Sequence, residues 1–193
     1  MSHDPLSRRE VLAGVVAVGL ADTAFAQDQP PTPACQEKGA PTIAQTAGPF
    51  FKPRSPQRVD LIEQGAGGRP VELSGRVLTR SCRPVGGALV DLWHADDKGD
   101  YDEKGFRYRG HVFADAEGRY RFRTIRPALY PGRTRHYHVR VQAPNRPVLT
   151  TQLYFPSEMT NRRDGLFRPE LVMQVADAGD GMTARFDFVL DIR

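Results

Sequence analysis

From Arg119 to Ile125 the chain alternates without a break, with Tyr120, Phe122 and Thr124 against Arg119, Arg121 and Arg123. A side-chain period of two fits a strand with one dry and one wet face, and it fits no helix. The same period opens at Val71, where Val71, Leu73, Gly75 and Val77 alternate with Glu72, Ser74, Arg76 and Leu78. Strands are also expected over Ala88–Trp93, Gly110–Ala114, Arg135–Gln142, Val148–Phe155, Leu171–Val175 and Arg185–Ile192. Between them stand turn signals such as Pro84-Val85-Gly86-Gly87 and Asp115-Ala116-Glu117-Gly118. About eight short strands, spaced roughly 8–12 residues apart, predict an all-β fold. The expected architecture is an antiparallel two-sheet β-sandwich with long loops. Gly and Pro, at 18 and 16 of 193 residues, favour turns over helices.

Charge excludes one class of partner. There are 27 basic and 23 acidic residues, for a net charge of +4. The arginines are spread along the strands instead of forming a basic block, so they read as solvated strand faces and no nucleic acid is expected.

Residues 1–26 read as a twin-arginine signal peptide. Arg8-Arg9 precede a short apolar run, Val11–Leu20, and Ala24-Phe25-Ala26 forms an A-x-A cleavage site before Gln27. The apolar run is too short to span a bilayer comfortably, although a small membrane anchor is the competing reading. Export predicts a periplasmic or secreted protein with no stable membrane insertion after cleavage. Residues 27–45 form a Pro/Gln-rich arm, and 46–193 form the folded domain. Cys35 and Cys82 either form a disulfide pinning the arm to the domain or are two unrelated thiols. Phe50 and Phe51, after the turn Thr46-Ala47-Gly48-Pro49, could wall a pocket. A homo-oligomer is compatible with the sequence.

Of the five histidines, two share one strand. Strand parity places His136, His138, Arg140 and Gln142 on one face and Tyr137, Val139 and Val141 on the core face. Two imidazoles aimed the same way from one strand can chelate a metal; the competing reading is a polar solvent face. Tyr130 lies six residues before His136, in a loop bounded by Pro127 and Pro131, where it can be aimed back over the strand. Tyr101 stands upstream in a glycine-flanked turn. A phenol with a pKa near 10 ionises only when a cation helps it. Two phenolates with two imidazoles make a hard, anionic set that suits ferric iron better than copper or nickel.

Trp93-His94-Ala95-Asp96-Asp97-Lys98-Gly99-Asp100-Tyr101 resembles the first ligand motif of the intradiol ring-cleavage dioxygenases, the family of protocatechuate 3,4-dioxygenase and catechol 1,2-dioxygenase. Asp115–Pro127 resembles the strand leading to the second ligand, which Tyr130-Pro131 matches. Arg133-Thr134-Arg135-His136-Tyr137-His138 is similar to the family's R-P-x-H-I-H segment, and Thr151-Gln152-Leu153-Tyr154-Phe155 to its T-Q-L-Y-F strand. The likeness spans about residues 46–190.

The resemblance implies one Fe(3+) held by Tyr101, Tyr130, His136 and His138, with Arg133 as the active-site arginine and Gln152 as a further pocket residue. It implies ring opening of a catechol substrate by O2 to a cis,cis-muconate-type acid, with Tyr130 as the tyrosine released on substrate binding and Tyr101 as the one retained. Two departures stand out: Thr134 replaces a proline and Tyr137 an isoleucine. Too few residues precede Val71 for the helical domain of the catechol 1,2-dioxygenases, so the chain looks closer to the compact protocatechuate type or to exported single-domain relatives.

Other positions carry plainer expectations. Trp93, Tyr120 and Tyr154 read as core packing, and His94 and His111 as structural hydrogen-bonding residues. Arg135 is expected to reach a strand edge or carboxylate, and Tyr108 rivals Tyr101 as a ligand. The competing reading of the whole is a non-catalytic transthyretin-like β-sandwich binding module; a periplasmic metal-binding protein without turnover is a third.

Overall fold

The structure, a computed structural model, describes Cys35 and residues 39–192. The expected signal at 1–26 lies outside the described residues, as do 27–34 and 36–38 of the arm. Among the described residues nine strands form two sheets. They are β1 (Pro70–Thr79), β2 (Leu89–Trp93), β3 (Arg109–Phe113), β4 (Arg119–Ile125), β5 (His136–Gln142), β6 (Leu149–Tyr154), β7 (Gln174–Ala178), β8 (Gly181–Arg185) and β9 (Phe188–Leu190). One sheet runs β4-β1-β8-β7, with β9 also on β1; the other runs β3-β2-β5-β6. The core lies between them. Val71, Leu73, Tyr120 and Phe122 face Val90, Leu92, Tyr137, Val139 and Val141, as the alternation requires.

The structure departs from expectation at the C-terminal end. The single strand expected over Arg185–Ile192 is two strands, both running parallel to β1. The break falls where the Phe186 carbonyl lies against Gly75: a Cβ on Gly75 would stand 1.8 Å from that oxygen. There the fully buried carboxylate of Asp187 accepts from the Arg76 amide at 2.8 Å, replacing a ladder acceptor. The strand expected at Leu171–Val175 lies further on, as β7, because Pro169 starts a 3-10 turn over Pro169–Leu171. A second 3-10 turn covers Met159–Arg162. Among the described residues no helix is long and apolar enough to cross a membrane.

Cys35 and Cys82 form a disulfide. From Gly39 the arm follows the domain. The Thr42 amide donates to Val189 O and the Gln45 amide to Thr150 O, each at 2.8 Å, and Thr151 Oγ1 donates to Ile43 O at 2.7 Å. The arm's continuation, residues 46–51, then crosses the outer face of the β3-β2-β5-β6 sheet, the face that carries the histidines.

Candidate metal centre

Directly opposed residues in an antiparallel ladder share a face. In this sheet His138 opposes Trp93 of β2 and Gln152 of β6, while His136 opposes Tyr154. One row across three strands therefore carries Trp93, His138 and Gln152. Trp93 is buried, but it packs on the histidine face and not in the inter-sheet core. Its ring stacks on His138 at 5.1 Å between centroids, tilted only 6°. Its reading as core packing is corrected on that point: pairing register, which the sequence does not print, decides which neighbour it meets.

His136 and His138 are both buried, with their Nε2 atoms 3.1 Å apart. The Tyr101 hydroxyl lies 3.0 Å from His138 Nε2 and 3.4 Å from His136 Nε2. His136 Nδ1 donates to Thr134 O at 2.6 Å, which leaves its Nε2 as a lone pair aimed at the other two groups. The Tyr130 ring stands edge-on to Tyr101 at 5.7 Å. The structure thus brings the donor atoms of Tyr101, His136 and His138 together and sets the Tyr130 ring beside Tyr101. Tyr108 is not among them: it is buried against His94 at a centroid distance of 5.1 Å.

Two loops bring the tyrosines together. Asp96 Oδ1 accepts from the Lys98 and Asp100 amides, and its Oδ2 accepts from Arg107, which closes the turn leading to Tyr101. Ala128 N donates to Asp96 O, tying in the Tyr130 loop. Gly99, at φ +96°, lets the loops touch: a Cβ there would stand 2.4 Å from Leu129 O.

Burial sets the protonation. It lowers the His136 pKa to about 4, helped by Arg133, and lowers His138 well below the ordinary value of 6.5, helped by His136. Both rings are therefore neutral, the form that ligates a metal. Burial pushes the Tyr101 phenol up against the pull of Arg133 and Arg109. A nearby cation is what would let it ionise. His138 Nδ1 is buried without a hydrogen-bond partner, so the Trp93 stack, and not a carboxylate or carbonyl, fixes that ring. No cluster of three or more His, Cys, Asp or Glu fit to hold a metal occurs among the described residues. The donors available are two phenols and two neutral imidazoles, and this set fits a hard ferric ion.

Arg133 and Gln152 meet beside the donors. Arg133 Nη2 donates to Gln152 Oε1 at 2.6 Å, and Arg133 Nε to Asp164 Oδ2 at 2.9 Å. Gln152 Nε2 in turn donates to Thr46 O, just past the arm, at 3.0 Å. The 46–51 segment also brings Phe50 onto Tyr101, stacked at 4.3 Å, and Phe51 onto Trp93. A cleft of about 390 Å³, lined by Leu129–Thr134, Thr160, Arg163 and Asp164, opens beside Tyr130.

Several contributors escaped the sequence reading. Arg109, at 2% exposure, donates to Phe50 O and Asp102 O and so ties the 46–51 segment to the Tyr101 loop. Tyr154 is buried as expected, but its hydroxyl lies 3.1 Å from Gln152 Oε1 and 2.8 Å from Gln45 Oε1. His94 is structural, bonded to Thr124 Oγ1 and Ala95 O, and His111 meets Ser55 Oγ. Arg135 reaches the Glu158 carboxylate at 3.2 Å.

Comparison with known proteins adds an independent line. A family model described as Dioxygenase matches residues 46–192. Hydroxyquinol 1,2-dioxygenase of Nocardioides simplex is 31% identical over 67% of this chain, and the match spans 52% of that relative's length. 6-Chlorohydroxyquinol 1,2-dioxygenase of Cupriavidus pinatubonensis is 30% identical over 99% of this chain and 76% of the relative. Among solved structures, the dioxygenase domain of a dioxygenase carbohydrate-binding protein fusion from Streptomyces sp. SirexAA-E superposes with a TM-score of 0.78. It is 54% identical, over 80% of this chain and all of that domain.

Proposed function

Because the chain belongs to the intradiol ring-cleavage dioxygenase family, we propose that it uses one ferric ion and O2 to open the ring of a catechol-type diol, giving a cis,cis-muconate-type dicarboxylic acid. The observation that carries this reading is the convergence of Tyr101 Oη and the Nε2 atoms of His136 and His138 within 3.4 Å of one another, with Tyr130 alongside. A non-catalytic transthyretin-like module has no use for such a cluster and is not favoured.

Tyr101, Tyr130, His136 and His138 would hold the iron. When bound, it would supply Lewis acidity that draws the diol in as a dianion and leaves the ring carbons electron-rich toward O2. The chain's own residues would do the rest. Tyr130, half-buried at the cleft, would accept one of the two diol protons at its Oη as it gives way to the diol, and a solvent hydroxide would take the other. Arg133 would face the negative charge that builds on the ring, in a site dry enough for that placement to count. Gln152 would hold the guanidinium in register. Phe50 and Phe51 would keep bulk water off the opened ring.

The test is oxygen uptake with product identification on a panel of plain, carboxylated, alkylated and hydroxylated catechols. Iron-loaded protein should show a visible tyrosinate charge-transfer band; its absence would overturn the reading. We also propose that residues 1–26 direct export by the twin-arginine route, with 27–45 as an arm ahead of the catalytic domain. A periplasmic fraction lacking the mature form would overturn that.

A further inference from the structure

Asp164 belongs to neither the donor set nor the Arg133–Gln152 pair, yet it touches the side chain of Arg133 and the main chain of Thr134, two residues before His136. Its side chain is only 2% exposed. Oδ2 accepts from Arg133 Nε and from the Thr134 amide, both at 2.9 Å, while Oδ1 accepts from the Leu166 amide at 2.9 Å. Burial pushes the Asp164 carboxyl up, but the Thr134 and Leu166 amides and Arg133 outweigh it and hold the group below the usual carboxylate range. The partner of Arg133 is therefore an anion.

Thr134 is gripped at both main-chain atoms. Its amide goes to Asp164, and its carbonyl accepts from His136 Nδ1 at 2.6 Å. Its hydroxyl donates to Asn161 Oδ1 at 2.6 Å and lies 2.8 Å from Thr160 Oγ1. The residue is fully buried. This is the position where the family motif resembled by Arg133–His138 has proline. Proline has no N–H to offer a carboxylate. The bond from position 134 to Asp164 thus exists in this chain because threonine stands there.

We propose that Asp164 is a positioning residue that sets two parts of the site at once, turning Arg133 toward Gln152 and, through Thr134, fixing the ring of the donor His136. The proposal rests on the dioxygenase reading above. Groups that orient a ligand without touching the metal matter because a misaimed imidazole loses both affinity and geometry. The loop from Glu158 to Arg168 thereby reaches Arg133 through the Asp164 carboxylate and grips Thr134 through Thr160, Asn161 and Asp164.

The experiment compares Asp164→Asn, Thr134→Ala and Thr134→Pro as iron-loaded and iron-free protein. Asp164→Asn should lower iron affinity and kcat/KM on the order of ten- to a hundredfold, shift the visible band, and speed hydrogen exchange at the Thr134 amide. Thr134→Ala loses the hydroxyl but keeps the amide and the carbonyl, so it should shift the band and weaken iron binding clearly less than Thr134→Pro. Thr134→Pro removes the amide but keeps the Asp164–Arg133 pair, so it should shift the band and weaken iron binding while losing less kcat than Asp164→Asn. Asp164→Asn with wild-type band, affinity and amide exchange would overturn the proposal, as would Thr134→Pro behaving like Thr134→Ala. If Asp164→Asn fails to fold, the two Thr134 variants decide. If wild-type protein shows neither band nor turnover, the functional reading fails, while amide exchange in iron-free protein still decides the role of Asp164.

Discussion

The Cβ that Gly48 lacks would stand 3.2 Å from Cε1 of His138 and 3.7 Å from its Nε2. The backbone just past the arm thus rests on the edge of the His138 ring, a proposed iron donor that Trp93 already holds by stacking. Gly48 also sits at φ +68°, where a side chain costs about 1–2 kcal/mol. Gly48→Ala should therefore weaken iron binding severalfold and lower the melting temperature slightly. Iron titration and a thermal melt check this; unchanged affinity would mean the arm does not set the ring.

Removing a donor should separate binding from turnover. His138→Ala takes away one of two imidazoles and also leaves Trp93 without its stacking partner, so iron should be lost and ring opening abolished. Tyr130→Phe keeps the half-buried ring and removes only the hydroxyl. That variant should retain iron on the other three donors while ring opening is abolished. Metal analysis beside oxygen uptake distinguishes the two, and full turnover with bound iron in His138→Ala would sink the donor assignment.

The sequence made the strands and their parity legible because period-two patterning is local: Tyr137, Val139 and Val141 are in the core, and His136 and His138 are on the opposite face. It did not make cross-strand register legible, since register depends on partners far along the chain. Trp93 was therefore read as core although it stands opposite His138. Asp164 and Arg109 were missed for the same reason. Each acts across a long separation, Asp164 on Arg133 and Arg109 on Phe50, and nothing in a charged loop or a short strand announces such a partner. The split near Asp187 was hidden because the run Arg185–Ile192 looks continuous until Gly75 lets the Phe186 carbonyl approach.

The disulfide offers a handle on the arm. Cys35 and Cys82 are 47 residues apart, and closing such a loop stabilises by about 4 kcal/mol in the chain-entropy view. Replacing both with serine should cost roughly 2–4 kcal/mol in urea unfolding. Hydrogen exchange should accelerate first at Thr42, Gln45 and Val189, whose amides join the arm to the domain. Uniform acceleration across β1 and β5 instead would show that the bridge stabilises the whole sandwich and not the arm.

Acid should unfold the protein through its buried histidines. Burial lowers His94 to about 4 despite its bond to Ala95, lowers His136 to about 4, and takes His138 well below the ordinary 6.5. In the unfolded chain each takes up a proton near 6.5, and in the folded protein His94 and His136 do so only near 4. The unfolded state therefore binds more protons in that window. Stability is complete above 6.5 and falls as pH drops toward 4, by about 1.4 kcal/mol per unit for each group. His94 is close enough for His136 to lower it further, but it is not one of the four proposed donors, which makes it the probe to use. His94→Gln should flatten the dependence of the urea midpoint on pH by one proton between pH 6.5 and 4.5, while the iron-loaded form keeps its visible band. Effects of Asp91, whose carboxyl burial pushes up, cancel between variant and wild type. An unchanged slope would mean that His94 accepts its proton without unfolding the sandwich.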